Sequence, residues 1–203
     1  MKKQSGNLDS QLLAFIKEHT LIQYIELRAF GLSSSQIKKL QDKAILYKVS
    51  RGLYSIIDQT VDPFLELQLK YKKIIFSDET AASLHDMTDV TPNKYSVTVP
   101  RAYNYQYLQQ SCNLKVRRLK QDTYELGVEE FLSPYGNIIR VYNRERTLCD
   151  LVKRKAYVES RIIIESLKSY MMSSTLDVNK LLTYAKQFRV EKEIRKYLEI
   201  LSV

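Results

Sequence analysis

Apolar positions recur at helical spacing through the first forty residues and then switch to alternation, and that switch outlines a first domain. Leu8, Leu12, Phe15 and Ile16 share one helical face, with Asp9 placed to open the turn. A second helical run covers Leu21 to Phe30, with Ile22, Ile25 and Ala29 on one face. Gly31 stands where a left-handed helix stop belongs. Ser33 followed by Gln36 is a capping-box spacing and opens a third helix, whose buried stripe is Ile37, Leu40 and Ala44. From Ile45 to Val49 the period falls to two; a Gly52 turn follows, and Leu53 to Ile57 returns as a second strand. Three helices followed by a hairpin, in fewer than 60 residues, is the layout of a winged helix-turn-helix.

Beyond residue 60 the pattern alternates between the two periods. Asp62-Pro63 opens a helix running to Lys70, with proline in the first turn. Ser77 or Asp78 caps a helix over Glu79 to His85, and Lys94 to Pro100 reads as a strand. Leu114 to Leu119 alternates, and Val128 to Leu132 and Asn137 to Tyr142 face one another across Ser133-Pro134-Tyr135-Gly136 as a hairpin. From Arg144 the period is helical throughout: Arg144 to Lys153, Val158 to Met172, Val178 to Phe188 with Asp177 as its cap, and Glu191 to Leu201. The fold class is therefore α+β: a winged helix-turn-helix over 1–60, then a small mixed α/β domain over 61–203. Within the latter, residues 61–143 carry a mostly antiparallel sheet with helices, and 144–203 form a helical end.

Composition narrows the class. An apolar fraction of 44% with 5 glycines and 4 prolines fits a globular chain and excludes collagen-like or disordered ones. No apolar run is long enough to cross a membrane, and the start, MKKQSGNLDS, has no apolar stretch behind its lysines, so no secretory signal or membrane partner is expected. Two cysteines, Cys112 and Cys149, are too few for a disulfide framework or a four-ligand zinc site, which points to the cytoplasm and to neither metal nor cofactor.

Charge changes the picture more. The net +9 attracts polyanions. Residues 1–60 hold 9 basic and 5 acidic side chains, 61–150 hold 12 of each, and 151–203 hold 11 and 6. The excess sits at the two ends. In the first domain the third helix turns Ser35, Lys38, Lys39 and Asp42 away from its apolar stripe, with Gln36 and Lys43 on the flanks. Ser34, Ser35 and Gln36, in its first turn, are the candidate base readers, and Lys38, Lys39 and Lys43 can reach phosphates. Arg51 at the wing tip aims a cation at the backbone, with Lys48 and Tyr54 in support. Near the C-terminus, Lys153, Arg154, Lys155, Arg161 and Lys168 form a second basic cluster that can hold promoter DNA or RNA. Its bland counterpart is a solvated helix end, where cations suit the dipole.

The string Arg51-Gly52-Leu53-Tyr54 closing the wing resembles the AbiEi family of antitoxins from bacterial abortive-infection systems. Phe76 to Met87 (FSDETAASLHDM), Lys94 to Pro100 (KYSVTVP) and Arg146-Thr147-Leu148-Cys149-Asp150-Leu151 are similar to later segments of that family, so the resemblance spans roughly residues 10 to 155. It implies a winged helix that represses its own operon at promoter inverted repeats. It also implies a C-terminal part that counteracts an AbiEii-type nucleotidyltransferase toxin without a stable complex, as in type IV systems. No heptad seam calls for an obligate dimer, so a monomer that cooperates on DNA is expected.

Two other readings stay open. One is a protein-interaction module that neutralises a toxin by contact. The other is an enzyme using His85 with Asp86 or Asp78, but the chain carries no phosphate-cradling glycine loop and no metalloprotease motif, and the expectation is that it is not an enzyme. Thr147 and Asp150 read as a local helix-start pair. Tyr95, Tyr103, Tyr105 and Tyr107, beside Arg101, read either as a base-stacking platform or as half-buried strand and loop positions.

Overall fold

The computed structural model describes residues 12, 14, 15, 19–56, 61–104, 106, 108 and 114–201. Leu8, Asp9, Ile16, Ile57, Tyr105, Tyr107 and Cys112 lie outside the described residues. The chain divides into two compact units, Met1–Lys72 and Lys73–Val203. The break thus falls after the Pro63–Lys70 helix rather than at residue 60, and the sheet and the C-terminal helices of 73–203 belong to one unit.

In the first unit Leu12, Ala14 and Phe15 are helical. A two-residue strand β1 (Ile22–Gln23) precedes the helices Tyr24–Ala29 and Ser34–Asp42, and β2 (Tyr47–Ser50) and β3 (Leu53–Ser55) form the wing. All three strands make one antiparallel sheet in the order β1-β3-β2. This is winged helix-turn-helix topology, α+β as expected.

Strand β1 corrects the sequence reading. Ile22 and Gln23 pair with Tyr54 and Leu53, so the chain is extended where a helix was expected. The helix then starts at Tyr24, and the Glu26 carboxylate accepts from the Gln23 backbone N–H at 2.6 Å to cap it. That delay rotates the helical face. Leu27 is buried, whereas Ile25 and Ala29 face outward. Similarly the third helix ends at Asp42, and Ala44, at φ 54°, is exposed rather than part of the stripe. Ile37 is buried and Leu40 packs against the same core, which gathers Leu12, Ile22, Leu27, Leu46 and Tyr54. Each such fully buried Leu or Ile contributes roughly 1.5–3 kcal/mol.

The second unit is built on a five-stranded sheet ordered β6-β5-β4-β8-β7, where β4 is Ile75–Phe76, β5 Tyr95–Pro100, β6 Leu114–Leu119, β7 Val128–Leu132 and β8 Ile138–Tyr142. The sheet is mixed rather than mostly antiparallel. β4/β8 and β5/β6 run parallel, and β4/β5 and β7/β8 run antiparallel. β4, buried and only two residues long, carries no period-two signal; it inserts between β5 and β8, and so separates β5 from the hairpin and runs parallel to β8. The helices Asp78–Leu84, Arg144–Lys153, Ser160–Met171, Val178–Phe188 and Glu191–Leu201 build the main core, with Leu148, Leu151, Ile163, Leu167, Leu181 and Ile194 at its centre. No described helix is long and apolar enough to cross a membrane.

Candidate nucleic-acid interface and ionic centre

The Ser34–Asp42 helix buries only Ile37 fully, which leaves most of its surface to solvent. Ser34, Ser35, Gln36, Lys38, Lys39 and Lys43 are all exposed. The first-turn polar groups are partly committed to one another. The Ser33 hydroxyl accepts from Gln36 N–H at 3.3 Å, and the Gln36 side-chain oxygen accepts from Ser33 N–H at 2.8 Å and from the Ser33 hydroxyl at 2.8 Å, closing the expected capping box. Gln36 therefore presents a held side chain rather than a free one. Ser35 Oγ is 2.9 Å from Ser33 Oγ, and Ser34 Oγ is 2.8 Å from the Tyr24 hydroxyl.

At the wing tip Arg51 is exposed, and Gly52 takes φ 77° with open space around it. The glycine is there for the turn's dihedral rather than for want of room. Its carbonyl accepts from Tyr24 N–H at 2.8 Å, tying the tip to the start of the second helix. Lys48 is exposed on β2. Tyr54 is not available as a contact residue. It sits on the central strand β3, flanked by β1 and β2, and its side chain is buried in the core. A central strand has neighbours on both edges, so all three residues of β3 are buried.

The C-terminal cations do not act as one free cluster. Arg154 turns toward Asp78, at 2.9 Å, and Arg161 is paired with Glu165. Lys155 lies 3.9 Å from Glu193. Lys153 and Lys168 are exposed, and the Lys153 ammonium stands 5.7 Å from the Phe188 ring centroid.

Arg154 is the outer member of a buried ionic centre that the sequence reading missed. One oxygen of Asp150, Oδ2, accepts from Arg117 Nη2 and from Arg146 Nε at 2.8 Å. Arg117 Nη1 is also 3.6 Å from Asp78 Oδ1. Arg146 is wholly buried. Its Nη1 donates to the Thr123 and Leu126 carbonyls at 2.7 and 3.0 Å, and its guanidinium lies 4.4 Å from the Tyr142 ring centroid and 3.9 Å from that of Phe188. Arg146 Nη2 and Asp78 Oδ1 have no hydrogen-bond partner among the described residues. Each such buried orphan costs about 1–3 kcal/mol.

Burial pushes the Asp150 carboxyl up, but charge and hydrogen bonds from Arg117, with Arg146 adding to them, outweigh it and hold the group below its ordinary range. Burial dominates at Asp78 and raises it, against the pull of Arg117. Asp150 is thus the anchor of two arginines, not the partner of Thr147 in a helix start; Asn143 does the capping, its side chain accepting from Arg146 N–H at 2.9 Å. Spacing alone could have paired Arg146 with Asp150, four residues apart on one helix. Nothing local marks Arg117, which arrives from β6.

His85 does not form the His–Asp pair that the enzyme reading would need. It is buried, and its Nε2 donates to the Tyr142 carbonyl at 2.8 Å. The carboxylate beside it is Glu129, at 3.6 Å. Burial lowers the His85 pKa, as suits a neutral ring held by a backbone acceptor. Asp86 is exposed at φ 53°, and Asp78 is taken by the arginines. Tyr95 and Tyr103 are half-buried, with Tyr95 packed edge-on to Phe76. Cys149 is a buried free thiol pushed up to about 12, chiefly by burial, and is chemically quiet.

No family model matches the chain, and no curated protein does. Among solved structures it is similar to the Rv2827c protein of Mycobacterium tuberculosis, with a TM-score of 0.61 over 97% of this chain and 81% of that one. At 13% identity the likeness is one of fold, and it extends through nearly the whole of this α+β chain.

Proposed function

We propose that the protein is a DNA-binding repressor that also serves as an antitoxin of the AbiEi type, reading promoter inverted repeats with its winged helix and opposing a nucleotidyltransferase toxin with its second unit. The observation that carries this reading is the division of the Ser34–Asp42 helix and the wing into two faces. Ile37 and Tyr54 point into the core, while Lys38, Lys39, Lys43, Lys48 and Arg51 are left to solvent. None of these five cations has an ion-pair partner among the described residues, so each remains available to phosphate. Ser34, Ser35 and the held Gln36 supply discrimination at base edges. The four segments that resemble the AbiEi family supply the antitoxin half of the reading.

A promoter-binding titration of Arg51→Ala combined with Lys38→Ala and Lys39→Ala tests it. Affinity should fall for all sequences, and the slope of log affinity against log salt should flatten by about one unit per lost contact. Unchanged affinity and slope would remove this surface from DNA binding.

A contact-neutralising module is the second reading. It draws on the β7–β8 hairpin, where Leu132, Tyr135 and Ile138 expose apolar surface at the end of the sheet's edge strand.

A further inference from the structure

The ionic centre opens on a cavity of about 330 Å³, lined by Arg117, Arg146, Lys153 and Arg154 together with one carboxylate, Asp150. This volume lies at the small end of the roughly 300–1,000 Å³ range of ligand sites. Asp78 is the second carboxylate in reach of these cations. Four formal positive charges against two negative ones leave a surplus of two. The buried members balance, Arg117 and Arg146 against Asp150 and Asp78, so the surplus lies on Arg154 and Lys153 at the solvent side of the cavity, where it can attract an anion.

Three donors in the lining remain uncommitted. Arg146 Nη2 is buried and unpartnered among the described residues. Arg154 spends one Nη1 bond on Asp78 and remains about a third exposed at 32%. Lys153 has no carboxylate partner among the described residues. The aromatic and apolar side of the lining, Phe188 and Leu119, lowers the local dielectric around these donors and strengthens their pull. Donors on three separate side chains suit a tetrahedral dianion better than a planar monoanion, since guanidinium forks and an ammonium can take different oxygens of one phosphate.

We propose that this cavity binds a small phosphomonoester, with Arg146, Arg154 and Lys153 holding the dianionic phosphate and Asp150 fixing the arginines that face it. The site is independent of the wing and does not rest on the DNA-binding reading.

Calorimetric titration of the full chain with inorganic phosphate, ribose 5-phosphate and adenosine 5′-monophosphate, with adenosine as the uncharged control, tests the proposal. One phosphate-bearing molecule should bind per chain, and adenosine should not. A nucleotide that binds more tightly than ribose 5-phosphate identifies a nucleotide site, whereas equal affinities identify a site that reads the phosphate alone; both support the proposal. Two changes at exposed positions leave the buried core intact: Lys153→Gln removes a donor, and Gln187→Glu places a carboxylate in the lining. Each should weaken phosphate binding about tenfold, the scale of one charge-assisted contact. Absence of binding at millimolar phosphate ligand, or binding that neither substitution weakens, would overturn the proposal.

Discussion

Asp150 holds Arg117 and Arg146 with a single carboxylate oxygen, and its side chain is itself buried. Asp150→Asn keeps the shape and removes the charge, leaving Arg146 buried without its counter-ion and Arg117 with only Asp78, at 3.6 Å. The expected loss is about 3–5 kcal/mol of unfolding free energy, measured by urea titration at neutral pH. The pH dependence follows from the sign of the shift. The folded carboxyl titrates below its ordinary value of 3.8, so its contribution is fully present above that pH and disappears as pH falls through the folded value. The variant should lack this acid-limb slope, and an acid limb identical to that of the parent chain would place the stabilisation elsewhere. At this scale the sequence was an uneven guide. Lys38, Lys39 and Arg51 are as exposed as their positions suggested, because a helix stripe and a glycine turn are local facts. Tyr54 and Arg117 were misjudged or missed, because their surroundings are built by strands distant in sequence.

At the scale of the element, the connection between the Gln121–Glu125 helix and β7 shows how one glycine sets a side chain fifteen or more residues away. Gly127 adopts φ 76°, and a Cβ placed there would lie 2.8 Å from Arg146 Cβ and 3.2 Å from Arg146 Cγ. Both the dihedral and the space demand glycine. Gly127→Ala should therefore cost about 1–3 kcal/mol from backbone strain, with the clash adding to it. Because the clash is with the Arg146 stem, it should weaken phosphate binding in the titration above as well as lowering the melting temperature. A variant as stable as the parent would show that the Arg146 stem can move aside. The same scale explains the missed β1. Two residues, Ile22 and Gln23, are too few to show a strand period, and the apolar pair Leu21-Ile22 reads equally well as the first turn of a helix. Only their pairing with Leu53 and Tyr54 makes them a strand.

For the molecule as a whole, the separation into Met1–Lys72 and Lys73–Val203 gives each unit its own buried core. A fragment covering 1–72 should fold by itself; under the proposed function it should show salt-dependent promoter binding, and 73–203 should carry rescue from an AbiEii-type toxin. A cut at residue 60 should serve worse, since it discards the Pro63–Lys70 helix, whose Asp62 cap accepts from Phe64 and Leu65 N–H at 2.8 and 3.2 Å. Gel-shift and growth-rescue assays on the three fragments check this, and equal promoter binding by 1–60 and 1–72 would return the boundary to residue 60.

The sequence by itself determined the α+β class, the helix caps at Ser33, Asp62 and Asp177, the two hairpins, and the outward-facing cations of the wing and its helix. Each depends on period, capping or turn chemistry within a dozen residues. Tertiary structure decided the rest: that β1 and β4 are strands, that the second sheet is mixed, and that Arg117 meets Arg146 and Asp150 in one buried centre. Strand partners and buried ion pairs are chosen by what the folded chain brings into contact, and a short apolar run or a lone arginine carries no local trace of that choice.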